Sequence, residues 1–187
     1  MHGMRTRTSI VRRRLWTTAV SVAVAVAAIA LAGLPVYVFP PVDPVTDADL
    51  IYVIGPPTAG RIALEESLRD EGVADAALVS VPLDGEQSAA NLDICGDTAV
   101  DCEHPEPFTT KGEAAMLAAY APAHGVDRTI VITFTPHVAR TRYIFDTCCP
   151  GEVTVVAVDP HLTPWEWVYQ YAYQTGAFAK AVLAPCS

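Results

Sequence analysis

The chain is 187 residues long, 51% hydrophobic, and carries 12 Lys and Arg against 21 Asp and Glu. That length suits one domain with an appendage. All the acidic residues lie from Asp43 onward with only seven of the basic ones, an acidic surface that repels phosphate backbones and argues against a nucleic acid partner.

The appendage is at the N-terminus. Arg5, Arg7, Arg12, Arg13 and Arg14 precede Leu15 to Phe39, a run whose only polar side chains are Thr17, Thr18 and Ser21. At about 1.5 Å per residue in a helix, the run is long enough to cross a hydrocarbon core of roughly 30 Å. Residues 1–14 read as a basic cytoplasmic tail and 15–39 as a transmembrane anchor, oriented by the charge bias. This predicts a single-pass plasma membrane protein with its N-terminus cytoplasmic and its domain extracytoplasmic. A cleaved signal peptide ending at Ala30-Leu31-Ala32 is the competing reading. The apolar character that continues through Leu34 and Val36 to Phe39 favours the anchor, and both readings put the domain outside. Translation could begin at Met1 or Met4.

Five cysteines in an exported domain point to disulfides, although sequence alone does not fix the connectivity. Cys95 and Cys102 close a short loop and form the first expected pair. A Cys148 to Cys186 bridge would staple the C-terminal helix to the body and leave Cys149 as the odd thiol. No metal is expected, since neither a zinc-type CxxC or HxxxH spacing nor a calcium-loop spacing is present.

After the anchor, residues 40–46 are a stiff, Pro-rich linker, expected to hold a domain of residues 47–187 just off the membrane. Asp49 to Gly55 reads as a strand, Ala59 to Glu71 as a helix stopped by Gly72, and Ala77 to Val81 as a second strand. Pro82 to Phe108 has no clean periodicity and reads as a long, solvated acidic loop ordered by its disulfide, with His104 among its acids and not a metal ligand. Thr110 and Glu113 have the spacing of a capping box that starts a nearly all-apolar helix ending near His124-Gly125. Thr129 to Phe134 is the third strand. Thr135 as N-cap, Pro136 at N1 and His137 at N2 open a helix to about Thr147. Glu152 to Val158 is the fourth strand, and Thr163-Pro164-Trp165-Glu166 caps a helix to about Leu183. Continuous apolar strands alternating with helices predict an α/β fold: a Rossmann-like three-layer domain with a mostly parallel sheet, preceded by one N-terminal transmembrane helix.

In such sheets ligands bind at the carboxyl ends of strands, beside helix N-termini. Three segments meet that condition and offer Arg61, Thr109, Thr110, Glu113, Thr135, His137 and Arg140, a set that favours an anion. A neutral His137 next to Arg140 is a candidate anion ligand or general base. Arg142 points elsewhere and has Asp146 one turn on. No nucleophile elbow, Walker loop or dinucleotide fingerprint is present, and no cofactor is expected. Trp165, Trp167, Tyr169, Tyr171 and Tyr173 cannot all share one helix face, so some must be exposed or meet a membrane or partner.

The run Phe108-Thr109-Thr110-Lys111-Gly112-Glu113-Ala114, followed by Ile132-Thr133-Phe134-Thr135-Pro136-His137-Val138-Ala139-Arg140, resembles the paired signature of the SanA/YdcF/ElyC-like envelope family, in its actinobacterial form. Cys148 before Gly151-Glu152-Val153 and the terminal Cys186 also resemble that group. The resemblance spans about residues 47 to 187. It implies a Rossmann-like domain behind one span, tied to envelope integrity and to peptidoglycan or lipid-carrier metabolism. It also implies pocket residues Thr110, Glu113, His137 and Arg140, with Arg61 at a matching position. Phe134 stands where the family carries Ser, and Gly55-Pro56 where it carries a Gly-Gly turn. The expectation is a membrane-anchored domain acting in envelope integrity or biogenesis by binding an anionic, phosphate-bearing metabolite. The alternatives are an enzyme of peptidoglycan or lipid-linked glycan metabolism, acting on a lipid-linked envelope precursor with His137 as general base, and a non-catalytic envelope scaffold.

Overall fold

In the computed structural model, residues 3–184 and 186 are described, with side chains from Arg12 onward. Of the basic tail read at residues 1–14, Met1, His2 and the side chains of Arg5 and Arg7 lie outside the described residues. Helix α1 (Gly3–Gly33) runs into a π-helical turn, Leu34–Val38. Within them Arg12–Val38, 27 residues, is long and apolar enough to cross a membrane. Pro35 has no N–H to give the α-helical ladder, which breaks the regular pattern at this point, and the turn closes instead through Phe39 N–H to the Leu34 carbonyl at 2.8 Å.

Five strands follow: β1 (Leu50–Val53), β2 (Ala77–Ser80), β3 (Val100–Glu103), β4 (Arg128–Phe134) and β5 (Glu152–Val158). They form one sheet in the order β3-β2-β1-β4-β5, and every pair is parallel. Ile51 pairs with Ala77 on one side and Ile130 on the other. The fold is thus α/β with a Rossmann-like arrangement. Four helices cover the sheet: α2 (Ala59–Asp70), α3 (Thr110–His124), α4 (Val138–Cys148) and α5 (Pro164–Leu183). Because side chains alternate across a strand, Leu50, Tyr52, Val131 and Val155 pack one core with α3, α4 and α5. Ile51, Val53, Ile130, Ile132 and Val156 pack the other with α2 and Ile94. Both sheet faces are dry, which is why the central strands read as continuous apolar runs rather than alternating ones.

Several expectations change. The loop expected from Pro82 to Phe108 contains β3 and two short 3₁₀ turns. Only Val100 of β3 is buried, and a four-residue edge strand with Asp101 and Glu103 on it carries too little periodicity to show in sequence; pairing with β2 creates it. His104 is held by the Val81 carbonyl through Nδ1 at 2.9 Å and stacks on Phe108, so it is not a solvated side chain. The linker packs against the domain. Pro40 is buried, and Asp43 accepts Arg142 at 2.8 Å and the Val155 N–H at 3.1 Å, which binds it to edge strand β5 and gives Arg142 Asp43, not Asp146, as its ion pair.

The structure joins Cys95 to Cys102 and Cys148 to Cys186 and leaves Cys149 a free thiol. Burial pushes the Cys149 thiol up to about 12, so it stays protonated and unreactive at neutral pH.

Candidate functional site

The sheet order reverses between β1 and β4, and this is the crevice where open α/β sheets hold ligands. Chain leaves β1 at Gly55 and β4 at Thr135, one on each side. The crevice is a cavity of about 510 Å³ walled by the start of α3, the turn after β4 and the pocket-facing side of α5. Of the residues expected there, Arg61, Thr109, Thr110, Glu113, His137 and Arg140 line it. Thr135 does not: its hydroxyl donates to Asp159 and the Val158 carbonyl, turned toward the end of β5.

Helix α3 is capped one residue earlier than the Thr110 to Glu113 spacing suggests. Thr109 is the N-cap and accepts the Gly112 N–H at 3.3 Å, so Thr110 and Glu113 are not a capping box. The Pro107 carbonyl oxygen lies so close to Gly112 that a side chain there would run into it. Freed from capping, Glu113 reaches across the strand ends. Its Oε1 accepts the Gly55 N–H at 2.6 Å and the Ser80 hydroxyl at 2.9 Å. It is 3% exposed, and burial raises its carboxyl above the ordinary value, opposed by these two hydrogen bonds and by Arg61 and Arg140. A Cβ at Gly55 would press on the Phe108 ring and the Glu113 carboxylate, so one of these side chains would have to shift.

His137 was expected at N2 of a helix. It is instead the last residue of a 3₁₀ turn, Thr135–His137, that precedes α4. The ring is 5% exposed. Nδ1 lies 3.0 Å from the Thr133 hydroxyl and Nε2 3.4 Å from that of Thr110. Burial first, then the charges of Arg140 and Arg61, hold it well below the ordinary imidazole range, so it is neutral. Arg140 donates to Thr110 at 3.2 Å; the Thr110 oxygen accepts from Arg140 and its proton is available to Nε2. In that arrangement Nδ1–H donates to Thr133. Both nitrogens are engaged, and proton abstraction at Nε2 would first have to break the Thr110 contact.

The two arginines are presented differently. Arg61, 4% exposed, is anchored by Nη1 to the Ile54 and Pro56 carbonyls at 2.8 and 3.0 Å and lies over the Phe134 ring. Its Nε is buried without a partner, and desolvation lowers it to about 10, still charged at neutral pH. Arg140 is fixed by Nε to Gln174 at 3.1 Å and faces Tyr173. Lys111 and Lys180 complete the rim. The other three basic side chains of the domain are paired with acids: Arg69 with Glu65 and Asp97, Arg128 with Asp49, Arg142 with Asp43. Among the described residues, none of the four pocket cations is in an ion pair.

Ser80, Thr133, Gln174, Lys111 and Lys180 were not singled out from sequence. Ser80 and Thr133 carried a usable signal, a hydroxyl near the carboxyl end of an otherwise apolar strand. Gln174 is the one amide buried among apolar neighbours on α5. The two lysines carried no signal, because nothing local ties either to the strand ends.

Fold and site together define a Rossmann-like α/β domain with a cationic pocket at its topological switch point, behind one candidate membrane helix. Comparison of the chain with protein-family models, with curated proteins and with solved structures gives no match in any of the three.

Proposed function

We propose that this protein is a membrane-anchored domain, its N-terminus cytoplasmic and the remainder extracytoplasmic, that binds an anionic, phosphate-bearing metabolite at the switch-point pocket. The observation that carries the reading is the segregation of charge. A domain with three acidic residues for each basic one places four of its seven cations around one cavity and, among the described residues, leaves them without ion pairs. Arginines held by carbonyls and amides keep their charge available, and a planar guanidinium suits a phosphate or carboxylate. The neutral His137 adds a polar ring without adding charge. The resemblance of Thr110 to Glu113 and of His137 to Arg140 to the paired signature of the SanA/YdcF/ElyC-like family supports placing the role in the cell envelope.

The test is calorimetric titration of the full chain in detergent with inorganic phosphate, a sugar phosphate and the corresponding neutral sugar. Binding of the phosphates and not of the neutral sugar is expected. Replacing Arg140 with Gln removes a charged hydrogen bond worth about 1.5–3 kcal/mol, roughly a tenfold to hundredfold loss of affinity. Binding that is undiminished in Arg61→Gln and Arg140→Gln together would refute the assignment.

A further inference from the structure

Helix α5 presents a long apolar side that no described residue covers. At about 100° per residue, Trp165, Val168, Ala172, Ala179 and Leu183 share one side, and all are exposed, Trp165 at 77% and Leu183 at 85%. The only charged residues of the helix are Glu166 and Lys180, and both fall on the pocket-ward side, Glu166 in the N-terminal capping box and Lys180 on the pocket rim. An uncharged strip running the length of a 20-residue helix is more than scattered surface hydrophobes, and it marks an interaction face.

The neighbouring span identifies what covers it. The Tyr171 hydroxyl donates to the Ala30 carbonyl at 3.1 Å, and the Tyr37 and Thr175 hydroxyls bond at 2.8 Å. Tyr37 and Tyr171 meet edge to face, and Tyr171 lies against Gly33. Counted from Leu15, about 20 residues cross a hydrocarbon core, which ends near Leu34. Ala30 is then roughly 6 Å inside that boundary at about 1.5 Å per residue. A helix that touches the span at this depth has its open side at the level of lipid. The strip is also rich in the residues that settle at a membrane interface, with Trp165 and Tyr169 exposed along it. The pocket lies at the same level, because the turn carrying His137 packs on Leu34–Val38. Tyr169 and Tyr173 join the apolar strip to the pocket wall.

We propose that the outer side of α5 lies in the bilayer leaflet on the domain's side, and that the pocket takes its anion from lipid headgroups at that surface rather than from solution. The second half rests on the anion reading of the pocket; the first does not. Because the domain is strongly acidic, docking is driven by apolar burial and is expected in neutral phosphatidylcholine and at high salt.

The experiment uses the full chain in phosphatidylcholine nanodiscs. The chain has three Trp, so Trp16→Phe with Trp167→Phe leaves Trp165 as the only reporter. Quenching of Trp165 by lipids brominated high on the acyl chain, with little quenching by aqueous acrylamide, is expected. Trp165 open to acrylamide and untouched by bromolipid overturns the docking. Val168→Trp, on the same exposed strip, with all three native Trp replaced by Phe, gives a second reporter that does not depend on residue 165, and the same two outcomes apply. For the headgroup route, phosphatidic acid in the disc should weaken binding of inorganic phosphate. Phosphate binding indifferent to phosphatidic acid overturns that route. Bromolipid quenching with no binding of either anion would instead remove the anion reading of the pocket, and phosphate binding with Trp165 in water would remove the docking alone.

Discussion

Replacing Glu113 separates a helix cap from a buried site acid. As a solvent-facing member of a capping box, Glu113 would contribute about 0.5–2 kcal/mol at most. In the structure it is 3% exposed and accepts both the Gly55 N–H and the Ser80 hydroxyl. Glu113→Ala leaves those two donors without an acceptor, at about 1–3 kcal/mol each, so a loss of roughly 2–6 kcal/mol is expected. Glu113→Gln keeps an oxygen at the same place and removes the cost of burying charge, so near neutral pH it should lie within about 1 kcal/mol of wild type. The pH dependence gives the second arm. Because burial raises the folded carboxyl above its unfolded value, the native state binds the proton more tightly. The stability this supplies is complete below the unfolded value near 4.5 and is lost as pH rises through the higher folded value. Other carboxylates titrate nearby, so the diagnostic quantity is the difference between wild type and Glu113→Gln, which should grow in favour of the Gln variant across that window. The assay is urea unfolding of the full chain in detergent from pH 4 to 8. Glu113→Ala within about 0.5 kcal/mol of wild type, the range of an ordinary surface change, would refute the buried-acid assignment. A flat difference between wild type and Glu113→Gln would refute the raised carboxyl.

Three further outcomes follow from the geometry. His137 should stay neutral at pH 6.5, its ordinary midpoint, because its folded value is depressed; the stability tied to the neutral ring is present above that value and lost as pH falls toward the folded one. Imidazole nitrogen shifts by NMR check this, and a midpoint at or above 6.5 would contradict it. Cys186→Ser opens a bridge spanning 38 residues and should cost about 3–4 kcal/mol on the chain-entropy scale, read by unfolding under oxidising conditions; a reduced wild type should match the variant more closely than the oxidised one does. Gly112→Ala forces a Cβ onto the Pro107 carbonyl and should cost about 1–3 kcal/mol while displacing Phe108 from the pocket rim, read as lost stability and weakened phosphate binding.

The order and type of most elements were legible because the signals that define them are local. The apolar run of β1 and the β-branched, mostly apolar runs of β4 and β5, the glycine stop at Gly72 and the complete Thr163 to Glu166 capping box need no distant partner to be recognised. The candidate span and the acidic balance of the domain are composition, which folding does not alter. Where the fold departs from the local pattern, either a distant contact or a one-residue local shift decides. β3 exists because β2 lies beside it, whereas the capping of α3 by Thr109 and not Thr110 is a local shift of one residue. His137 took a 3₁₀ turn whose ring nitrogens are held by Thr133 and Thr110. Sequence by itself determined that a His, an Arg, a Thr pair and an acid would stand at strand ends and helix starts. Only the tertiary structure decided that the acid is buried under Gly55 and Ser80, that Thr135 faces away, and that four cations 119 positions apart at their extremes, Arg61 to Lys180, surround one cavity. Chain connectivity fixes which residues end a strand, but which ends meet, and which charges are left unpaired there, depends on the order in which the strands pack.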